Sequence, residues 1–182
     1  TTRLTPASPY ACAKVYAHNL CRNYRESYGL HISSGILFNH ESERRGPEFV
    51  TRKISQSVAR IKAGKQEWVD LGDISVRRDW GFAGDYSRAM ISMMEQSEPR
   101  DFVIATGESW SVRDFAERAF EVAGLSMERH LRHDPSLLRP ADIPSLCGDA
   151  SLARASLGWK PEVGFDALVE RMVLADMARE CP

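Results

Sequence analysis

Apolar residues recur every three or four positions along several stretches of the chain, the spacing typical of amphipathic helices. The first stretch covers residues 10–28, where Ser8 and Pro9 favour a helix start and Gly29 favours a helix end. The same spacing predicts further helices over FVTRKISQSVARIKAG, from about Ala83, over SVRDFAERAFEVAG, and from about Ala150 and Phe165.

Short apolar runs lie between these helices and predict strands. HISSGILF, residues 31–38, predicts a buried strand, and the polar stretch NHESERRGPE that follows predicts a loop. EWVDLGD and DFVIATG predict two more strands, and ERHLRHD is a weaker candidate. Because strands alternate with helices, the sequence predicts an α/β fold with a parallel sheet.

A glycine-rich phosphate loop is not found after any predicted strand. The motif G-x-G-x-x-G lets backbone amides approach a dinucleotide pyrophosphate, and GFAG at residues 81–84 has only two of its glycines. The sequence therefore predicts that this chain has no dinucleotide-phosphate loop of its own.

Composition narrows the class of protein. The chain has 182 residues, 43% hydrophobic and 27% charged, with a net charge of −1, which is ordinary for a globular domain with a sizeable core. We expect neither a nucleic-acid nor a membrane partner, because there is no basic excess and no apolar run approaches about 20 residues. Cys12, Cys21, Cys147 and Cys181 form no C-x-x-C pair, so we predict a reducing, cytoplasmic compartment, no bound metal, and burial of Cys12 and Cys21.

Tyr10 and Lys14 stand four residues apart on the first predicted helix and therefore share one face. An ammonium beside a phenol favours the phenolate, so the pair could accept a proton near neutral pH. The alternative is a buried tyrosine beside a solvated lysine, and in either case we expect the phenol to be buried. Arg44 and Arg45 suit phosphate, since a guanidinium binds it with two hydrogen bonds, although a solvated charged loop would also explain them.

Five motifs in order carry a family resemblance: SPYACAK, GILFNHESERRGPEFVTRKIS, VRRDWGFAGDY, DFVIATGESWSVRDF and LLRPADIPSLCGDASLARASLGWKPEV. Together they resemble the GDP-mannose 4,6-dehydratase family, which are extended short-chain dehydrogenase/reductases with a Rossmann domain. The likeness is to the C-terminal half of the enzyme, because the family's glycine-rich loop, catalytic Thr or Ser and catalytic Glu precede the tyrosine. It implies a Rossmann-type parallel sheet with a small α/β substrate-binding domain. Residues 1–45 would be the C-terminal part of the NADP-binding Rossmann domain, with the Tyr-Lys helix, and residues 46–182 would be mainly substrate-binding, with some segments returning to the Rossmann sheet.

The resemblance also implies an activity. Family members convert GDP-mannose to GDP-4-keto-6-deoxymannose through an internal NADP redox cycle, as cytoplasmic homo-oligomers in nucleotide-sugar metabolism that leads to GDP-fucose. We expect this chain alone to be inactive, because it lacks the glycine-rich loop and the carboxylate base. The alternatives are a related GDP-sugar reductase or epimerase, or a truncated binding module without catalysis.

The resemblance assigns roles to individual residues. Tyr10 would be the catalytic base, and Lys14 would bind the nicotinamide ribose and keep the phenol acidic. The other cofactor contacts would come from His40, Arg45 and Arg44. The substrate contacts would come from Asn39, Lys53, Arg78, Arg139 and Asp142.

Two positions depart from the family pattern. Leu137 stands where an aromatic is usual, and Asp142 stands where a glutamate is usual, so the carboxylate is one methylene shorter. If the Asp142 carboxylate binds a ribose hydroxyl, its reach is reduced. The family's arginine loop also reaches across a subunit interface, so we expect the segment 41–48 to form part of a subunit contact.

Overall fold

The computed structural model describes residues 2–138 and 143–180. Seven helices are found in this part of the chain: α1 (Pro9–Tyr28), α2 (Val50–Lys62), α3 (Ala83–Met94), α4 (Val112–Ala123), α5 (Met127–His130), α6 (Ser151–Leu157) and α7 (Phe165–Glu180). Its strands are β1 (Gly35–Leu37), β2 (Asn39–Glu41), β3 (Val69–Leu71), β4 (Arg77–Arg78), β5 (Trp80–Phe82), β6 (Phe102–Ile104), β7 (Trp110–Ser111) and β8 (Leu131–His133), and a 3₁₀ turn covers Pro135–Leu137.

Local capping interactions begin and end α1 and begin α4, as predicted. The Ser8 hydroxyl accepts a hydrogen bond from the Ala11 amide at 3.1 Å, and Gly29 ends α1 in the left-handed conformation with φ 64°. At the start of α4, the Ser111 and Asp114 side chains each accept a hydrogen bond from the other residue's backbone amide. These residues act within one helical turn, which is why the sequence alone predicted them.

The strands pair mostly in parallel, as the alternation of strands and helices predicted. β1 pairs with β6, β2 with β5 and β3 with β8 in parallel, whereas β4 and β7 are antiparallel. The prediction of one buried strand over residues 31–38 is wrong in part, because β1 has three residues and Ile36 is 41% exposed. The predicted polar loop is also shorter, since Asn39–Glu41 forms β2 in register with Trp80–Phe82.

Two apolar clusters hold these elements together. In the larger cluster α2, α4 and α7 pack on one another through Ile54, Phe115 and Leu168, all fully buried. In the smaller cluster Tyr86 of α3 and Ile104 of β6 pack with residues that include Trp159. Strand β2 contacts α3, and its last residue, Glu41, accepts a hydrogen bond from Thr51 of α2.

Helix α1 contributes no buried residue to either cluster. Arg25 joins it to the rest of the chain with two hydrogen bonds to Asp101, at 2.7 and 3.1 Å. The predicted burial of Cys12 and Cys21 is therefore wrong, because Cys12 is exposed and Cys21 only half-buried. Among residues 2–138 and 143–180, no helix is long and apolar enough to cross a membrane.

Candidate functional site

A cleft of about 440 Å³ opens beside the ends of β2 and β3. Cations from three separate segments face it: Arg45 follows β2, Lys53 lies on α2, and Arg78 lies on β4. The remaining lining includes apolar side chains, which are Phe49, Val50, Leu71, Val76, Trp80, Val112, Leu137 and Leu138, and the acidic residues Glu41, Glu48 and Asp73. The cleft therefore offers a ligand both cationic and apolar contacts.

Backbone carbonyls fix two of the cations. Lys53 Nζ donates to the Asp70 carbonyl at 2.6 Å, which holds the ammonium at the end of β3. Arg78 Nη1 donates to the Ile143 carbonyl at 2.7 Å. Both contacts join segments far apart in sequence, so the structure brings these two predicted substrate-binding residues into one cleft.

Glu41 also lines this cleft, and sequence reasoning missed it. Its side chain is only 2% exposed and accepts a hydrogen bond from Thr51 Oγ1 at 2.6 Å. Burial raises the pKa of the Glu41 carboxyl, against the opposing effects of the Thr51 hydroxyl and the Arg45 guanidinium. The signal available in the sequence was the two-residue spacing of Asn39 and Glu41, which places them on one face of a strand.

Asn39 and His40 point in different directions because they are adjacent in β2. Asn39 lines the cleft, as expected for a substrate contact, whereas His40 does not. His40 Nδ1 lies 2.9 Å from the Phe38 carbonyl oxygen, and its ring stacks on Tyr86 with centroids 5.1 Å apart. These two neighbouring residues, both predicted to bind ligands, therefore face two different surfaces of the protein.

Tyr10 and Lys14 share one face of α1, as their spacing predicted. Lys14 Nζ lies 5.4 Å from the centre of the Tyr10 ring. The expectation of a buried phenol is wrong, because Tyr10 is 71% exposed. Neither side chain lines the cleft.

Among the described residues that line the cleft, Arg44 is not included. Arg44 is exposed, and its backbone amide donates to the Ser42 hydroxyl at 3.1 Å. Arg139 and Asp142 lie outside the described residues. Among residues 2–138 and 143–180, no group of three or more His, Cys, Asp or Glu side chains could hold a metal ion.

Comparison with protein families gives a match over residues 1–172 to the family described as GDP-mannose 4,6 dehydratase. The chain belongs to this family. It is 51% identical to GDP-mannose 4,6 dehydratase 1 of Arabidopsis thaliana, over 97% of this chain and 49% of the relative. It is 46% identical to the human GDP-mannose 4,6 dehydratase, over 97% of this chain and 52% of the relative. The chain thus spans about half the length of these members of the family.

Solved structures give the fold of the family member described here. RMD from Pseudomonas aeruginosa, complexed with NADPH, superposes with a TM-score of 0.89 at 24% identity, over 96% of this chain and 58% of that one. The dTDP-glucose 4,6-dehydratase from Bacillus anthracis, in complex with NAD, gives 0.83 at 18% identity, over 99% of this chain and 57% of that one. These likenesses confirm the predicted Rossmann-type α/β fold.

Proposed function

We propose that this protein is a GDP-mannose 4,6-dehydratase, a lyase that converts GDP-mannose to GDP-4-keto-6-deoxymannose through an internal redox cycle with NADP. The observation that carries the proposal is the convergence of Arg45, Lys53 and Arg78 on one cleft, in a chain that belongs to this family. Guanidinium and ammonium groups from separate segments suit the concentrated charge of a diphosphate.

The shape of the cleft supports a nucleotide sugar as the ligand. A volume of about 440 Å³ lies within the range of about 300–1,000 Å³ usual for small-molecule sites. Lys53 and Arg78 would hold the diphosphate, Asn39 would donate to the sugar, and Leu137 and Leu138 would cover apolar parts of the nucleoside. In this proposal Arg139 and Asp142, which follow Leu138 in the chain, also contact the substrate.

The residues around β2 and α1 fit NADP as the cofactor. With Nδ1 donating to the Phe38 carbonyl, His40 keeps Nε2 available as a hydrogen-bond acceptor. Exposed Arg44 and the Arg45 guanidinium, which donates no hydrogen bond among the described residues, provide cations for its phosphates. When bound, NADP supplies a reversible hydride acceptor. Tyr10 would take the proton of the sugar 4-hydroxyl, and Lys14 would bind the nicotinamide ribose.

The test is turnover of GDP-mannose by the complete protein, measured as loss of one water by mass spectrometry and as a 4-keto product by NMR. Reduction or epimerisation without loss of water would indicate a related sugar-nucleotide enzyme instead. Absence of any turnover would indicate a binding module.

Replacing Lys53 by Met should raise KM for GDP-mannose about tenfold, because a charge-assisted hydrogen bond contributes roughly 1.5–3 kcal/mol. Steady-state kinetics at fixed ionic strength measure the effect. Lys62→Met is the matched control, since Lys62 lies at the other end of α2 and is exposed. Equal KM values for the two variants would contradict the role of Lys53.

We also propose a cytoplasmic homo-oligomer, a dimer or tetramer, in which the segment 41–48 contacts a neighbouring subunit. Free Cys12, Cys21 and Cys147 support a reducing compartment. Replacing Arg44 and Arg45 together by Ala should weaken both self-association and NADP affinity, measured by sedimentation and by titration. Arg100→Ala/Arg129→Ala removes the same charge from exposed positions elsewhere, and an unchanged oligomer with unchanged affinity in the test variant would contradict the proposal.

A further inference from the structure

The carboxylate of Glu41 is buried at a place where burial is unfavourable for it. Its side chain is 2% exposed at the end of β2, and burial raises the pKa of the carboxyl. Thr51 Oγ1 donates a hydrogen bond to Oε2 at 2.6 Å, and Arg45 Nε lies 3.1 Å from the same oxygen. Because burying a carboxylate lowers the stability of the folded protein, its position at the edge of a ligand cleft is better explained by a role in ligand binding.

The Arg45 side chain is held from two sides. Glu41 contacts Nε, and the guanidinium carbon lies 3.5 Å from the centre of the Phe49 ring, which is a cation–π contact. Among the described residues the guanidinium donates no hydrogen bond, and its side chain is 23% exposed. The outer nitrogens are therefore available at the mouth of the cleft while the inner edge is held in place.

The backbone that carries Arg45 is fixed as well. The Arg52 guanidinium donates to the Glu43 carbonyl, and its other terminal nitrogen donates to Asp176 of α7 at 2.7 Å. The loop is thus attached to a buried ion pair, and the remaining freedom of Arg45 lies mainly in its long side chain. Fixing such a side chain before a ligand arrives removes an entropic cost of binding.

We propose that Glu41 is a positioning residue that, together with the Phe49 ring, holds the Arg45 guanidinium ready to bind a phosphate group in the cleft. The inference rests on the proposed function, in which that phosphate belongs either to the GDP-sugar or to NADP. Glu41 acts through Arg45 and does not contact the ligand itself.

Simple electrostatics makes the opposite prediction, which renders the proposal testable. Removing a negative charge near an anion site should tighten binding of the anion if Glu41 acts only through its charge. If Glu41 positions Arg45, its removal should weaken binding instead, because Arg45 becomes free to adopt other rotamers. The sign of the change separates the two accounts.

The experiment compares the complete wild-type protein with its Glu41→Gln and Glu43→Gln variants by titration with GDP and, separately, with NADP. Glutamine keeps an acceptor for Thr51 but loses the charge that holds Arg45. Glu43→Gln removes one charge from the same loop, where Glu43 pairs with Arg171 at 3.1 Å and not with Arg45. We expect Glu41→Gln to raise Kd about fivefold for the ligand whose phosphate Arg45 binds, and Glu43→Gln to leave Kd unchanged or slightly lower.

A melting curve separates positioning from structural damage. Because the folded-state pKa of Glu41 is raised, its favourable contribution is present at low pH and is lost as pH rises through that pKa. Glu41→Gln should therefore unfold at the same or a higher temperature than wild type at neutral pH, while binding its ligand more weakly. Weaker binding accompanied by a lower unfolding temperature would indicate a structural role and overturn the inference.

The remaining outcomes are also decisive. Unchanged or tighter binding by Glu41→Gln of both ligands would overturn the inference and leave the proposed function intact. A complete wild-type protein that binds neither GDP nor NADP would overturn the proposed function, and this inference with it.

Discussion

Replacing Tyr10 by Phe in the complete protein is expected to lower kcat by roughly 10²–10⁴-fold, the usual contribution of a positioned acid–base group. KM for GDP-mannose should change little, because the proposed contacts to the diphosphate come from Lys53 and Arg78 in the cleft. Steady-state kinetics on GDP-mannose measure both quantities.

The fold should be unaffected by this change. Tyr10 is 71% exposed and its ring contacts Lys14 on the same helix face, so removing the hydroxyl should alter the free energy of unfolding by less than about 0.5 kcal/mol. Tyr16→Phe is the matched control, since Tyr16 lies on the same helix and is 69% exposed. Near-normal turnover by the Tyr10 variant, or an equal loss in both variants, would show that Tyr10 is not the base.

Replacing Asp176 by Asn is expected to lower the free energy of unfolding by about 3–5 kcal/mol. Asp176 is 2% exposed and pairs with Arg52 at 2.7 Å, while its second oxygen accepts a hydrogen bond from Ser55 at 2.7 Å. The amide cannot balance the Arg52 charge, which would stay buried between α2 and α7. Denaturant unfolding followed by circular dichroism measures the loss.

Two further variants test the cause of that loss. Asp166→Asn changes the same residue type on the same helix, but its side chain is 76% exposed, so it should cost less than about 1 kcal/mol. The double variant Arg52→Met/Asp176→Leu should lose less stability than Asp176→Asn, because no charge is left buried alone. A double variant at least as unstable as the single one would contradict this explanation.

Local features of the chain followed from the sequence because the residues that determine them are neighbours. Ser8, Pro9 and Gly29 define the ends of α1, and Ser111 with Asp114 starts α4, through contacts within one turn. The helical period likewise placed Tyr10 and Lys14 on one face. The long motif around NHESERRG indicated the family, and the match over residues 1–172 confirmed it.

The tertiary structure alone decided how these pieces form a site. Asn39–Glu41 reads as a polar loop, but parallel pairing with β5, some 40 residues away, makes it a strand and buries Glu41. Long-range contacts likewise bring Arg45, Lys53 and Arg78 to one cleft. Helix α1 has apolar residues at helical spacing, yet none of its residues is buried. The period of apolar residues indicates which face of a helix or strand is apolar. The segment that packs against that face is determined by contacts between residues far apart in the sequence, and no local pattern encodes those contacts.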